Sequence, residues 1–312
     1  MSPFPYSSDN KRYHTWNYHL RQVFGTKVCK VALDSGLTCP NRDGSRGAGG
    51  CTYCSPRRSG DFSGSPSLPL AVQFELGKRE MAKKWPSARF LPYLQAGSST
   101  YAPAEQLRRL WEPLLSHPDT AGLCIATRAD CLPPPVLDYL EEINRRTYLI
   151  VELGLQTIHD ATAKRINRCH TYQEFLQGVQ ALSERNIRIC VHLINGLPGE
   201  MPEMMRQSAQ AVGRLPIHSV KLHLLHVLRD TPLGDAYSAS PFPLMSREEY
   251  VHLVCDQLEL LPPHIVIQRL TGDGDARALL APLWSRRKRE VLNEIDRELS
   301  RRNTVQGAKS QV

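Results

Sequence analysis

The chain has 312 residues, 41% of them hydrophobic and 22% charged, with a formal net charge of +8 and nine cysteines. That length and apolar content suit a single α/β unit with a large core; they exclude a disordered chain, and no apolar run is long enough to span a bilayer. Nine irregularly spaced cysteines exclude the framework of a small disulfide-stapled fold, and with no signal-like N-terminus they predict a reducing, cytoplasmic setting without membrane contact. In chain order, residues 1–25 read as an N-terminal segment. Short β-branched or Leu-rich runs then predict strands over 27–33, 89–94, 122–126, 148–153, 188–194 and 219–225, each of the kind buried on both faces of a parallel sheet. Pro92 weakens the second of these. Helical spacing predicts helices over 104–115, 136–145, 171–185 and 201–215. The alternation implies a parallel sheet with crossover helices. Prolines at 216 and across 232–243 mark the best boundary, dividing a body over 26–235 from a C-terminal extension over 236–312.

After the first strand comes the most informative stretch. Cys39, Cys51 and Cys54 are spaced C-x11-C-x2-C in a loop that Gly44, Gly47, Gly49 and Gly50 make too flexible for helix or strand. A structural zinc ion takes four protein ligands, and the closest histidines, His14 and His19, lie upstream of the intervening strand. A 4Fe-4S cluster held by three thiolates is the better match, because it leaves one iron without a protein ligand and open to chemistry.

In a parallel barrel, functional groups come from the C-terminal ends of strands. Gln95 and residues 97–101 follow the second predicted strand, residues 127–130 the third, Glu152 and Gln156 end the fourth, and residues 195–199 follow the fifth. All would face one rim. Cys131, just beyond a strand end, is placed to reach the pocket as a hydrogen donor. Cys29, Cys124, Cys169, Cys190 and Cys255 read as small buried apolar residues. His170, His192, His223 and His226 have no metal-ligand spacing and read as hydrogen-bonded structural residues. Basic residues gather in 285–290 and 297–302, a pattern equally suited to a solvated helix face with compensating acids and to a nucleic-acid contact.

With its motifs in order, the chain resembles the radical S-adenosylmethionine (SAM) enzymes, and within them the YhcC-like family related to the Elongator catalytic subunit and to MiaB-type proteins. The resemblance is carried by CPNRDG (39–44), GCTYC (50–54), SGDF (59–62), TRADC (127–131), VELGLQ (151–156), RCH (168–170), INGLPGE (194–200), VKLH (220–223), IQRLTG (267–272) and APLW (281–284). It implies a partial (β/α)6 radical SAM barrel with a short C-terminal extension. It also implies a 4Fe-4S cluster on Cys39, Cys51 and Cys54 that reductively cleaves SAM, with an electron from a low-potential donor. The resulting 5′-deoxyadenosyl radical would abstract hydrogen from substrate.

By the same resemblance Gln95 would meet the SAM amino group, Glu152 and Gln156 its ribose or methionine portion, Arg168 its carboxylate and Tyr53 its adenine. Kinship with tRNA-modifying enzymes and the positive charge point to tRNA, at a wobble-uridine side chain, as substrate. Ala129 stands where the family usually has Pro, and Cys169 where it often has Gly. Two alternatives stand beside this reading: a non-catalytic module in which zinc is held by the cysteines and a distant histidine while the basic helix binds nucleic acid, and a degenerate barrel that binds SAM without cleaving it.

Overall fold

The fold is known from a computed structural model that describes residues 4–272 and 274–311. In chain order its elements begin with α1 (Trp16–Phe24), β1 (Val28–Leu33), α2 (Leu70–Ala82), β2 (Arg89–Leu94), α3 (Ala104–Leu115), β3 (Gly122–Thr127), α4 (Pro134–Arg146) and β4 (Tyr148–Gln156). They continue with α5 (Asp160–Arg165), α6 (Tyr172–Ser183), β5 (Arg188–Asn195), α7 (Pro202–Gly213), β6 (Ser219–Leu224) and β7 (Val227–Leu228). The last part holds α8 (Pro232–Ala239), α9 (Arg247–Leu260), β8 (Val266–Arg269), β9 (Leu279–Ala281) and α10 (Lys288–Arg301).

Seven strands form one parallel sheet in the order β1-β2-β3-β4-β5-β6-β8, curled into a half-barrel. The helices cover its outside, because strand-helix-strand crossovers pack back onto one face. Period-two alternation then sorts the side chains. Leu33, Leu123, Ile125, Leu149, Val151, Ile189, Val191, Val220 and Leu222 point outward into the main core, against Leu107, Trp111, Leu140, Phe175 and Val254 of the helices. Residues of the other parity, among them Leu91, Tyr93, Cys124, Ile150 and Cys190, form a separate inner cluster with Leu20 of α1. Hydrogen-bonded starts support two of the outer helices: capping boxes at Thr171/Glu174 and Ser246/Glu249 open α6 and α9.

All six predicted strands form. Pro92 is tolerated inside the sheet because the ladder from β2 to β3 has only two paired positions, Tyr93 with Cys124 and Leu94 with Ile125, both beyond the proline. One expectation is amended. The fourth strand runs on to Gln156, so Glu152 sits in its middle rather than at its end. The stretch from 236 onward, read as an extension, adds β8 to the sheet beside β6, with Ser219 opposite Val266 and Val220 opposite Ile267. Among the described residues no helix is long and apolar enough to cross a membrane.

Candidate active site

The cysteine loop leaves the C-terminal end of β1 and is tied down by its neighbours. Asn41 is fully buried; its amide nitrogen donates to Asn167 O and lies 3.6 Å from Cys51 Sγ. Asn167, at φ 54°, returns two bonds to the loop backbone, to Ala48 O at 3.0 Å and Gly50 O at 2.8 Å. Thr52 N donates to Ile166 O at 3.0 Å. Gly47 is required for this close approach, since a Cβ there would stand 2.4 Å from Asn41 Oδ1 and 2.7 Å from Cys169 Sγ. Held this way, Cys39, Cys51 and Cys54 all line one cavity of about 300 Å³. Burial, with Cys54 beside it, pushes the Cys51 thiol up to about 11, so ligation there must release a proton.

Tyr53, Gln95, Glu152, Gln156 and Arg168 line the same cavity, so the fold gathers all five expected cofactor contacts. Their bonding differs from expectation in two cases. Arg168 is 1% exposed and already bonded: its guanidinium donates to the main-chain oxygens of Leu155, Thr157 and His170 and stands 3.5 Å from Asp160 Oδ1. Glu152 is held by cations, as described below. Gln95 Nε2 donates to Ser59 O at 2.8 Å, and Gln156 turns out of β4 at φ 65°.

Cys131 does not reach this cavity. It lines a second one with Arg46, Tyr101, Asp130 and Glu174, its Sγ 3.9 Å from Asp130 Oδ1. Burial and then Asp130 push its thiol up to about 12, because both disfavour the thiolate. Cys169, expected among buried apolar cysteines, is only half-buried, at φ 59° with Sγ 3.2 Å from Asn167 Oδ1. His170 is buried but has no hydrogen-bond partner among the described residues on either ring nitrogen; burial, then Arg168 and Arg128, lower it to about 3. His14 and His19 lie at the other end of the strands, bonded to His264 O and to Tyr148 Oη at the start of β4.

The floor of the cavity was missed in the sequence. Mid-strand residues of one parity, Lys30 on β1, Tyr93 on β2, Glu152 on β4, His192 on β5 and Lys221 on β6, converge inside the half-barrel. The fully buried Glu152 carboxylate accepts from both Lys30 and Lys221 Nζ and pairs with His192 Nε2 at 2.9 Å. Burial opposes its ionisation, but Lys221 and Lys30, with the His192 hydrogen bond, hold it well below the usual carboxylate range. Lys221 also donates to Tyr93 Oη at 3.2 Å; burial, with Lys30 adding to it against Glu152, brings it down to about 8. The available signal was a polar residue at alternate positions of otherwise apolar strands, as in VCKVAL, VELGLQ and VKLH.

A parallel half-barrel with three thiols at its C-terminal rim and ionisable groups inside is the frame of an enzyme built round a thiolate-held cofactor. The comparisons identify which. The Radical SAM superfamily description matches residues 42–212, and the Radical SAM C-terminal domain description residues 217–301. YtqA of Bacillus subtilis (strain 168) is 50% identical over 306 residues, 98% of this chain and 95% of its own. Protein YhcC of Escherichia coli (strain K12) is 35% identical over 293 residues, 93% of this chain and 92% of its own.

More distant is a tRNA uridine(34) acetyltransferase of Methanocaldococcus jannaschii, 23% identical over 162 residues, 51% of this chain and 29% of its own. Among solved structures, the Elp3 of Methanocaldococcus infernus superposes with a TM-score of 0.67 at 15% identity, covering 90% of this chain and 64% of that one. The chain belongs to the radical SAM superfamily and is an enzyme whose cofactors are a 4Fe-4S cluster and SAM. Within the superfamily it is a YhcC-like protein, related to Elongator. That membership sets aside the non-catalytic zinc module.

Proposed function

We propose that Cys39, Cys51 and Cys54 hold the cluster and that SAM lies across the rim against Tyr53, Gln95 and Gln156. The observation that carries this is the convergence of three thiols and these side chains on one cavity. The donor set fits a cluster better than a single ion. Among the described residues, the one His/Cys/Asp/Glu trio with ligand atoms all within 4.8 Å of one another is Glu152, Cys190 and His192, not the loop cysteines. Thiolates on one tetrahedral zinc would stand about 3.8 Å apart, from a Zn–S length of ~2.3 Å. The Glu152 trio is itself unsuited to a cation, because Lys30 and Lys221 already occupy that carboxylate.

Bound there, the cluster supplies one-electron cleavage of the SAM sulfonium to methionine and a 5′-deoxyadenosyl radical that takes hydrogen from substrate, the electron coming from a low-potential donor. The chain's own residues do the rest. Asn41 and Asn167 set the loop, and the Gln95 oxygen, left open by the bond its nitrogen makes to Ser59, is an acceptor for an ammonium. Tyr53, its hydroxyl kept neutral by burial and by Cys51 and Cys54, offers a ring face for adenine. Arg168 locks the backbone of 155–170 on which Gln156 and His170 stand.

We extend the proposal to tRNA as substrate, supported by the name of the Methanocaldococcus jannaschii relative and the +8 charge. The C-terminal helix gives this little support: Arg301 and Arg302 are paired with Glu298, and Arg302 also with Asp256.

The test is anaerobic reconstitution with iron and sulfide, reduction with dithionite and chromatography for 5′-deoxyadenosine from added SAM. Wild type should form it and Cys54→Ala should not. A colourless protein with one zinc per chain and no cleavage would defeat the cluster assignment. Added tRNA should bind with an affinity that falls steeply with salt; an affinity indifferent to salt would remove tRNA from the reading.

A further inference from the structure

Among the described residues, the interior of the half-barrel has more cationic and hydrogen-donating capacity than its side chains use. Lys30 and Lys221 there share one carboxylate, Glu152, although buried charges of one sign are costly unless balanced. Gln268 Oε1, 2.7 Å from Lys30 Nζ, and Tyr93 Oη, 3.2 Å from Lys221 Nζ, accept hydrogen bonds but bring no negative charge. His223 stands beside this group, its ring 5.2 Å from that of His192, and its buried Nε2 has no hydrogen-bond partner among the described residues. A buried nitrogen left so costs free energy that a ligand atom would recover.

These groups are not sealed off. Tyr93, Glu152, His192, Lys221, His223, Arg269 and Gly272 line the same cavity as the three rim cysteines, so a molecule below the rim would meet them directly. Gly272 keeps that end open: a Cβ there would lie 3.3 Å from His226 Cε1 and 3.5 Å from His223 Nδ1, and a longer side chain would fill the space.

We infer that the floor of the half-barrel is a binding site for an anionic group of the substrate, a carboxylate or a phosphate, received by Lys221 and His223 beneath the SAM position. The anion supplies the counter-charge that Lys30 and Lys221 lack and an acceptor for the imidazole. It also anchors the substrate at one end, leaving its reacting carbon toward the rim. Calling the ligand a substrate rests on the proposed radical SAM chemistry; the binding itself does not.

The experiment is isothermal titration of the anaerobic, cluster-loaded protein with inorganic phosphate and, separately, with succinate, at constant ionic strength against chloride, with and without saturating SAM. Wild type should take up one equivalent per chain of one of the two anions, and the better binder assigns the group as phosphate or carboxylate. His223→Phe, which removes the unpartnered nitrogen, and Gly272→Leu, which fills the space, should each weaken binding about tenfold or more while keeping the wild-type circular dichroism. Binding of neither anion to wild type, or equal binding by both variants, overturns the site. Competitive displacement by SAM would mean that the floor reads the carboxylate of SAM itself, and the substrate anchor falls. 5′-Deoxyadenosine formation measured on the same samples separates the two readings: anion binding without cleavage retains the site and sinks the chemistry, and cleavage without anion binding does the reverse.

Discussion

The Glu152 carboxylate stands at mid-strand in β4 and gives its oxygens to Lys30, Lys221 and His192. Removing one partner from a buried ion cluster leaves the others uncompensated, which costs far more than an exposed pair. Glu152→Gln preserves size and polarity but strands two ammoniums, so it should destabilise the protein by about 3–5 kcal/mol, measured by urea unfolding of the cluster-free chain. Were Glu152 chiefly a SAM contact, the same variant would unfold like wild type and show instead a raised KM for SAM.

At the scale of elements, the cysteine loop depends on the turn between α5 and α6 as much as on its own glycines. Asn167 adopts the left-handed region, which asparagine tolerates better than most residues, and spends its side-chain nitrogen on two loop carbonyls. Asn167→Ala should lose both bonds and loosen the loop by roughly 2 kcal/mol. Reconstituted protein should then hold less iron per chain, while far-UV circular dichroism stays as in wild type. Undiminished iron content would show that the glycine-rich loop is set by the thiols alone. The sequence made the loop, its cysteines and six strands readable, because each is encoded locally in spacing or in an apolar run. It did not reveal that Asn41 and Asn167 brace the loop, a pairing across 126 positions, nor that Lys30, Glu152 and Lys221 meet, since strand parity says which face a residue takes but not what stands opposite. β8 was lost for a related reason: four residues after two prolines carry too little pattern to read as a strand until β6 is there to pair with them.

Over the whole molecule, the two chain ends close the half-barrel at the pole opposite the cysteines. Ile267 N of β8 donates to His14 O at 2.7 Å, and His14 N to Gln306 Oε1 at 2.8 Å, while the Gln306 amide nitrogen donates to Pro262 O and Ile265 O. His14, His19 and His218 pack together here, with ring centroids 6.0 Å apart for His14 and His19 and 4.6 Å for His19 and His218. Burial, then His14, lowers His19 to about 4, and burial, then His19, lowers His218 to about 3. Below about pH 6.5 the unfolded chain takes up protons at these positions that the folded chain refuses until it reaches those lower values. The stability they permit is therefore whole above pH 6.5 and is lost as pH falls toward 4. At pH 5 each would cost up to about 2 kcal/mol, in a range still above most carboxylate titration. Thermal unfolding of the cluster-free protein should accordingly drop in midpoint between pH 7 and pH 5. His218→Phe, which removes a ring whose buried Nδ1 has no partner among the described residues, should flatten that slope. Parallel slopes for the two proteins would mean that the pole accommodates a protonated His218, and that the acid sensitivity of the fold lies elsewhere.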